Sequence, residues 1–401
     1  MPDNAVPAES RETIPSAQAI LERARTLAPL LAAATQQIEA ERELPAHVLE
    51  AMHESGLFRS TLPSFLGGAQ LPLIVLAQVA EIIAMADASA AWCLGQAFGC
   101  AISAAFLDEE PARRVFGARD AVLAWGAGAA GKAVATDGGY RVSGKWGFAS
   151  GGKHATWLGG HCNVFEADGA PRTLPGGTQV QRTALFPRAS ATIADDWYVM
   201  GLRGTRSEGY SVDDLFVEDA LTLDRDAPEE CRLDATLYRF NTTNIYASAF
   251  SGVALGIARA MLDDLVALTG HKHARGARSA MRDSPVVHTR LAELEAKLSS
   301  ARAYQQQVIS EVWHNVDTTS ELAMQDRVRL RLATTYAMNE ATDVAEQVYR
   351  LAGATAIFDS QPFERRFRDA HAVSQQVQGR FTNFETVGRF MLGLEVDTLF
   401  L

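Results

Sequence analysis

The sequence predicts an α+β protein, mostly helical, in which a β-rich middle third separates two helical ends. Two observations carry that reading. Apolar residues recur at three-to-four spacing from residue 16 to about 120 and again from about 235 onward, the period of helices with one buried face. Between about 121 and 220 the period drops to two, with Gly and Asp punctuating short alternating runs, as half-buried strands require. The implied domains are 1–120, 121–232 and 233–401: a helical N-terminal domain, a small middle β-barrel or sandwich, and a C-terminal four-helix bundle.

The elements follow in order. "AQAILERARTLAPLLAAATQQIEAER" sets charges opposite an apolar stripe. "LPAHVLEAMHESGLFRSTLP" carries a Pro near its start and Gly56 past its end, the pattern of a short capped helix. "PLIVLAQVAEIIAMADASAAWCLGQAFGCAISAAF" is apolar almost all round and belongs in the interior. In the middle third "GGYRVSGKWGFAS" and "SEGYSVDDLFVED" alternate like strands, and "EADGAPRTLPGGTQ" reads as a hairpin or surface loop. "TTNIYASAFSGVALGIARAMLDDLVALTG" closes at a Gly, and "SPVVHTRLAELEAKLSSARAYQQQVISEVWHNV" opens with Ser and Pro. "ELAMQDRVRLRLATTYAMNEATDVAEQVYRLAG" and "TNFETVGRFMLGLEVDTLFL" complete the bundle.

Composition removes several function classes. The 401 residues are 47% hydrophobic and 21% charged, enough to bury a large core. A formal charge of −11, with no basic stripe interleaved with aromatics, argues against nucleic acid or an anionic membrane as partner. "MPDNAVPAESRETIPSAQAI" lacks the apolar core of a signal peptide, and no stretch is expected to span a bilayer, so the expected location is the cytoplasm. Cys93, Cys100, Cys162 and Cys231 make no CxxC pair and have no His at metal spacing, which reads as reduced, buried thiols and no metal site. GxxxxGK[ST], GxSxG and HExxH do not occur, and the Gly-rich "GAGAAGK" at 126–132 precedes a strand with no helix following. Hydrolase and metalloenzyme readings have little behind them.

Four stretches, in their order and spacing, resemble the acyl-CoA dehydrogenase superfamily across nearly the whole chain: "LPAHVLEAMHESGLFRSTLPSFLGG", "GGYRVSGKWGFASGGKHATW", "WYVMGLRGTRSEGYSVDDLFV" and "VYRLAGATAIFDSQPFERRFRDAHA". The resemblance implies a helical domain, a β-barrel and a four-helix bundle, a flavin between barrel and bundle, and a homotetramer built as a dimer of dimers. An isoalloxazine ring needs a flat apolar wall and donors aimed at its N5 and O4 edge, where charge gathers on reduction. "WGFASG" offers Trp146 and Phe148 as wall and Ser150 with nearby amides as donors, while Gly151 and Gly152 allow close backbone approach. By residue type alone Trp146 and Phe148 suit a β-domain core equally and Ser150 a turn; the resemblance favours Phe148 and Ser150 as flavin contacts. In "GLRGTRS" (201–207), Arg203 and Thr205 either face the ligand or serve the turn, with Arg203 pairing with Asp195 or Asp196. The resemblance places the flavin's phosphate end near Arg278, within "HKHARGARSAMR", and at Gly353–Ala354 of a neighbouring subunit.

The two usual seats of the dehydrogenase glutamate are empty. That base removes an α-proton beside the thioester. Nine residues past the Arg of "RDA" stands Val377, and ten residues before Gly256 stands Tyr246. Valine takes no proton, and an ordinary tyrosine keeps its own at neutral pH. In "DASAAWCLG", "KWGFASG" and "RDAHA" followed by a polar helix, the chain resembles instead the two-component flavin monooxygenases. These accept reduced FMN or FAD from a separate reductase, react it with O2 to a C4a-(hydro)peroxyflavin in a dry pocket, and hydroxylate a small, often aromatic substrate. A His that commonly stands eight residues past the same Arg is replaced by Gln376, with Gln375, Ser374 and His371 as neighbours able to orient substrate or oxygen. His371 suits either a proton shuttle or an ion pair. Trp92, Phe98, Tyr246 and Gln375 are substrate-side candidates, although Trp92 and Phe98 also suit core packing. "RRFRD" (365–369) resembles an ion-paired junction near the flavin. The alternatives are a flavin dehydrogenase of acyl thioesters with an unrecognised base, and a non-catalytic flavin-binding protein.

Overall fold

The computed structural model describes residues 15–225, 227–273, 280–398 and 401. Helix α1 (Ala17–Glu41) starts at Ser16, whose hydroxyl accepts from the Ala19 N–H at 3.2 Å. Helix α2 (Ala46–Glu54) runs between Pro45 and Gly56 as its sequence implies. A single residue, Asp87, separates α3 (Leu73–Ala86) from α4 (Ala88–Ala101), and its carboxylate caps α4 by accepting from the Ala90 N–H at 2.9 Å. A short α5 (Glu109–Phe116) leads to the sheet.

Strands β1 (Leu123–Trp125), β2 (Gly131–Thr136), β3 (Gly139–Trp146), β4 (Trp157–Phe165), β5 (Gln181–Pro187), β6 (Thr192–Ile193), β7 (Tyr210–Glu218) and β8 (Thr222–Leu223) form one eight-stranded sheet. Its order is β6-β7-β3-β2-β4-β5-β8, with β1 paired in parallel to β4. The sheet curls around Trp146, whose indole stacks on Tyr210 at 5.3 Å and leans on Phe186 at 6.2 Å. Gly131, Gly144 and Gly160 leave room for it: a Cβ at any of them would come within 2.7 Å of the ring. Trp146 is 1% exposed, so the expectation that it walls the flavin is corrected; it is the filling of the β-domain.

Helices α6 (Thr242–Thr269), α7 (Pro285–Thr319) and α8 (Met324–Ala352) are the long members of the bundle. The fourth long helix expected over 382–401 stops at Met391, where the chain turns through Gly393 at φ +71°. The fourth side is built instead by α9 (Pro362–Ser374) and α10 (Thr382–Met391). Residues 88–105 and helix α6 are apolar and long enough to span a bilayer, which corrects the expectation that no stretch would be; they are 100% and 89% buried inside the protein. Their apolarity is that of core helices.

Helix α6 joins the two helical regions into one core. It meets α3 at Gly252 and Gly256, where a Cβ would lie 2.2 Å from the Ala77 carbonyl oxygen and 2.3 Å from that of Glu81. Gly256→Ala should therefore overpack this crossing and lower stability by about 1–3 kcal/mol. Gly388→Ala on α10, where an added Cβ meets nothing within 4 Å, should raise it by about 0.5–1 kcal/mol. Urea midpoints of the two variants check both signs.

Candidate active site

The loop after β3 splits its residues between surface and interior. Phe148 takes φ +63°, costly for an aromatic residue, and its ring is 71% exposed, standing edge-on to Trp197 at 6.0 Å. Tyr198 and Met200 are also exposed, with the Arg42 guanidinium 4.4 Å over the Tyr198 ring, so the surface here is a shelf of exposed side chains. Gly151, at φ +75°, turns the chain inward and donates its N–H to the Thr205 carbonyl at 3.0 Å. Between them Ser150 is buried. Its Oγ accepts from Trp92 Nε1 at 3.0 Å and lies 2.7 Å from Ser207 Oγ, which lies 2.7 Å from Thr205 Oγ1.

Behind Ser150 stands a ladder of nearly parallel rings. Trp92 stacks on Phe250 at 3.9 Å and 9°, and Phe250 on Tyr246 at 5.3 Å and 11°. Gly95 and Gly99 of α4 admit the two α6 rings, since a Cβ there would lie 2.9 Å from Phe250 and 2.2 Å from Tyr246. The Tyr246 hydroxyl sits 3.5 Å from Cys100 Sγ, and burial pushes the phenol well above its ordinary range and the Cys100 thiol up to about 12. Both are neutral. Phe98 faces away into the core, fully buried. Phe250 was not singled out in the sequence; its signal is the four-residue step from Tyr246, matched by the same step between Gly95 and Gly99.

Three arginines of α9 bind three different elements. Arg365 lies 3.3 Å from Asp87 and 3.9 Å from Asp369. Arg366 pairs with Asp264 of α6 and donates to the Met85 carbonyl at 3.1 Å, and Arg368 reaches Glu39 of α1 at 2.7 Å. Asp369 also accepts the Leu202 N–H at 2.7 Å, tying the β-domain loop to the bundle. Among the described residues, Asp87 and Asp369 are engaged in this cluster, and Glu208 with Arg206 at 2.8 Å.

The remaining expected residues fall as follows. Gln376 accepts the Gln378 N–H at 2.6 Å, so its side chain caps the turn after α9, while Gln375 is exposed. Val377 lies in that turn. His371 packs its ring on Phe367 at 4.3 Å, and its buried Nε2 has no hydrogen-bond partner. Arg203 pairs with Glu39 at 3.2 Å rather than with Asp195 or Asp196, and Thr205 is buried. Gly353, at φ +55°, and Ala354 are exposed where α8 ends, beside the Lys272 ammonium bound to the Ala352 carbonyl. Arg278 lies outside the described residues.

A flavin fits these residues on two counts: the exposed Phe148 ring, held out by a strained backbone, would give it a flat wall, and the buried Ser150 hydroxyl beside it a polar contact. Residues 15–115 match the family model described as acyl-CoA dehydrogenase, N-terminal domain, and residues 248–379 the one described as acyl-CoA dehydrogenase, C-terminal domain. The chain belongs to the acyl-CoA dehydrogenase superfamily. It is 28% identical to the indole-3-acetate monooxygenase of Pseudomonas putida, over 97% of this chain and 96% of that one. It is also 28% identical to the oxygenase component of the FADH(2)-dependent resorcinol hydroxylase of Rhizobium sp., over 93% and 94% of the two chains. The crystal structure of 3-HSA hydroxylase from Rhodococcus sp. RHA1 matches with a TM-score of 0.87 at 25% identity, covering 95% of this chain and 99% of that one.

Burial pushes the Asp369 carboxyl up to about 6, against the opposing pull of Arg365 and the Leu202 N–H. The folded chain thus holds this proton more tightly than the unfolded chain. Its contribution to stability is fully present below the ordinary value of 3.8 and is lost as pH rises through about 6. Relative to Asp369→Asn, the native chain should lose about 1.4 kcal/mol per pH unit across that window. Urea unfolding of both proteins at several pH values checks this; parallel curves would show that the group does not titrate there.

Proposed function

We propose that this chain is the oxygenase of a two-component flavin-dependent monooxygenase, taking reduced FMN or FAD from a separate reductase and hydroxylating a small aromatic substrate with O2. One oxygen atom enters the substrate, the other leaves as water, and the reduced flavin supplies two electrons. The observation that carries the reading is the set of groups beside Ser150: stacked rings and neutral hydroxyls, with a Tyr246 that burial keeps neutral. The full-length likeness to named monooxygenases supports it.

The flavin, when bound and reduced, supplies the activation of O2. This chain's residues supply the rest. Phe148 offers the flat wall, and Gly151 lets the backbone approach the ring. Ser150 makes the polar contact at the reactive edge. Trp92, Phe250 and Tyr246 form a planar, water-excluding face suited to an aromatic substrate. His371, with its buried unpartnered Nε2, is the better group to meet a substrate hydroxyl, because the Gln376 oxygen is occupied by its own turn. Gly353, Ala354 and Lys272 suit a phosphate end. Exposed Ile357 and Phe358 at one end and Phe381, Met391 and Leu392 at another support assembly with further copies of the chain, which the proposal takes to be a homotetramer in the cytoplasm.

The test is a single-turnover reaction of purified protein with chemically reduced FMN or FAD, isotopically labelled O2 and a panel of indoles and phenols. Incorporation of one labelled oxygen per product supports the proposal; bleaching of a co-purified flavin by an acyl-CoA, with no oxygen inserted, overturns it. Ser150→Ala should divert turnovers to hydrogen peroxide and lower product yield roughly tenfold. Phe148→Ala should weaken flavin binding roughly three- to tenfold, with the unfolding midpoint unchanged because the ring is exposed. Fluorescence titration and a thermal melt read the two effects.

A further inference from the structure

The hydroxyl groups beneath the flavin shelf form a chain with a defined direction. Thr205 Oγ1 lies 2.8 Å from the Leu202 carbonyl oxygen, which can only accept, so the Thr205 proton is committed there. Ser207, 2.7 Å from Thr205 Oγ1, must then donate to it, and Ser150, 2.7 Å from Ser207 Oγ, must donate to Ser207. Trp92 Nε1, a donor only, fills one lone pair of Ser150 Oγ at 3.0 Å. What Ser150 has left is a single lone pair. The sequence suggested Ser150 as a donor; its surroundings make it an acceptor.

The far end of the chain is held as firmly. The peptide whose carbonyl ends the relay belongs to Leu202, and the N–H of that residue donates to Asp369 at 2.7 Å, beside Arg365. Leu202 and Arg206 take left-handed φ values of +54° and +43°, and Phe148 takes +63°. These are conformations that bulky residues adopt only where the surroundings impose them. Ser150, Thr205 and Ser207 are 6%, 1% and 2% exposed, so water does not compete for their protons.

From this geometry we infer that Ser207 and Thr205 are positioning residues that hold Ser150 as an acceptor, so that the site selects reduced flavin over oxidised flavin. The inference rests on the flavin reading proposed above. The chemistry is complementary: N5 of reduced flavin carries a hydrogen and donates, whereas N5 of oxidised flavin is an acceptor and would face an oxygen lone pair. An oxygenase supplied by a separate reductase gains from such a preference, because the spent cofactor is released and the fresh one retained.

The experiment is a pair of binding titrations, anaerobic for reduced FMN and aerobic for oxidised FMN, on the full chain and on Ser207→Ala, Ser207→Thr and Thr205→Val. The native protein should bind the reduced form more tightly. Ser207→Ala removes the acceptor of the Ser150 proton, and Thr205→Val lets Ser207 turn and donate to Ser150. Either change frees the Ser150 hydroxyl to donate to oxidised N5. Both should reduce the reduced-to-oxidised preference roughly tenfold, mainly through tighter oxidised binding. The potential of the bound flavin should fall by about 30 mV for each tenfold change. Ser207→Thr, which keeps the hydroxyl, should restore the native ratio. General loosening would weaken both forms alike and leave the ratio unmoved, and that result in both variants overturns the relay while leaving the flavin reading intact. No binding of either form by the native protein overturns the flavin reading and the relay with it.

Discussion

The structure turns on a buried guanidinium shared by two carboxylates. Arg365, Asp87 and Asp369 lie almost wholly inside the protein, where taking an ion out of water costs several kcal/mol. The arrangement is tolerable because each carboxylate also accepts a backbone N–H: Ala90 at the start of α4 for Asp87, and Leu202 of the β-domain loop for Asp369. The cluster therefore fixes backbone as well as side chains. It gathers the first turn of α4, the loop before β7 and the middle of α9 at one point. Arg366 and Arg368, pointing from other sides of α9, bind α6 and α1. One short helix thereby sets where the two helical regions and the sheet stand relative to one another. Charge crowding in "RRFRD" is the requirement of a helix whose neighbours lie on three sides.

That junction also governs the candidate site. Leu202 must present its N–H to Asp369 and its carbonyl to Thr205, and it does so from a left-handed conformation that a leucine disfavours by roughly 1–2 kcal/mol. Arg206, in the same loop, is held left-handed by Glu208 and Glu43. Across from them, Phe148 is forced outward so that Ser150 can turn inward. Strain on two facing loops is the local cost of bringing an exposed ring and a buried hydroxyl within three residues of each other.

Much of this was legible in the sequence, and what was not has identifiable causes. Helical and strand periods placed the three regions, and caps such as Pro45, Gly56 and Pro285 fell where the helices begin or end. The ion-paired nature of residues 365–369 was implied by the family resemblance, and the structure shows the pairs. The fate of Trp146 was readable in principle: it shares the even parity of Tyr140 and Val142 along β3, and those residues face inward. Phe148 has the same parity and escapes it because the strand has ended and the backbone reverses. The cap made by Gln376 depends on a turn whose shape only the fold supplies, and the end of α10 on a left-handed Gly393. The relay through Ser207 joins residues 57 positions apart and leaves no local mark.

The distribution of charge bears on chemistry as directly as on folding. A base that abstracts a carbon-bound proton needs a carboxylate with an open lone pair facing the substrate. The acidic side chains Asp87, Asp369 and Glu208 are turned toward arginines and backbone amides. The groups left facing the interior are an indole, a phenyl ring, a phenol and hydroxyls, none charged at neutral pH. None of these groups can pull an acidic proton from a thioester at neutral pH. The carboxylates Asp87, Asp369 and Glu208 serve the scaffold.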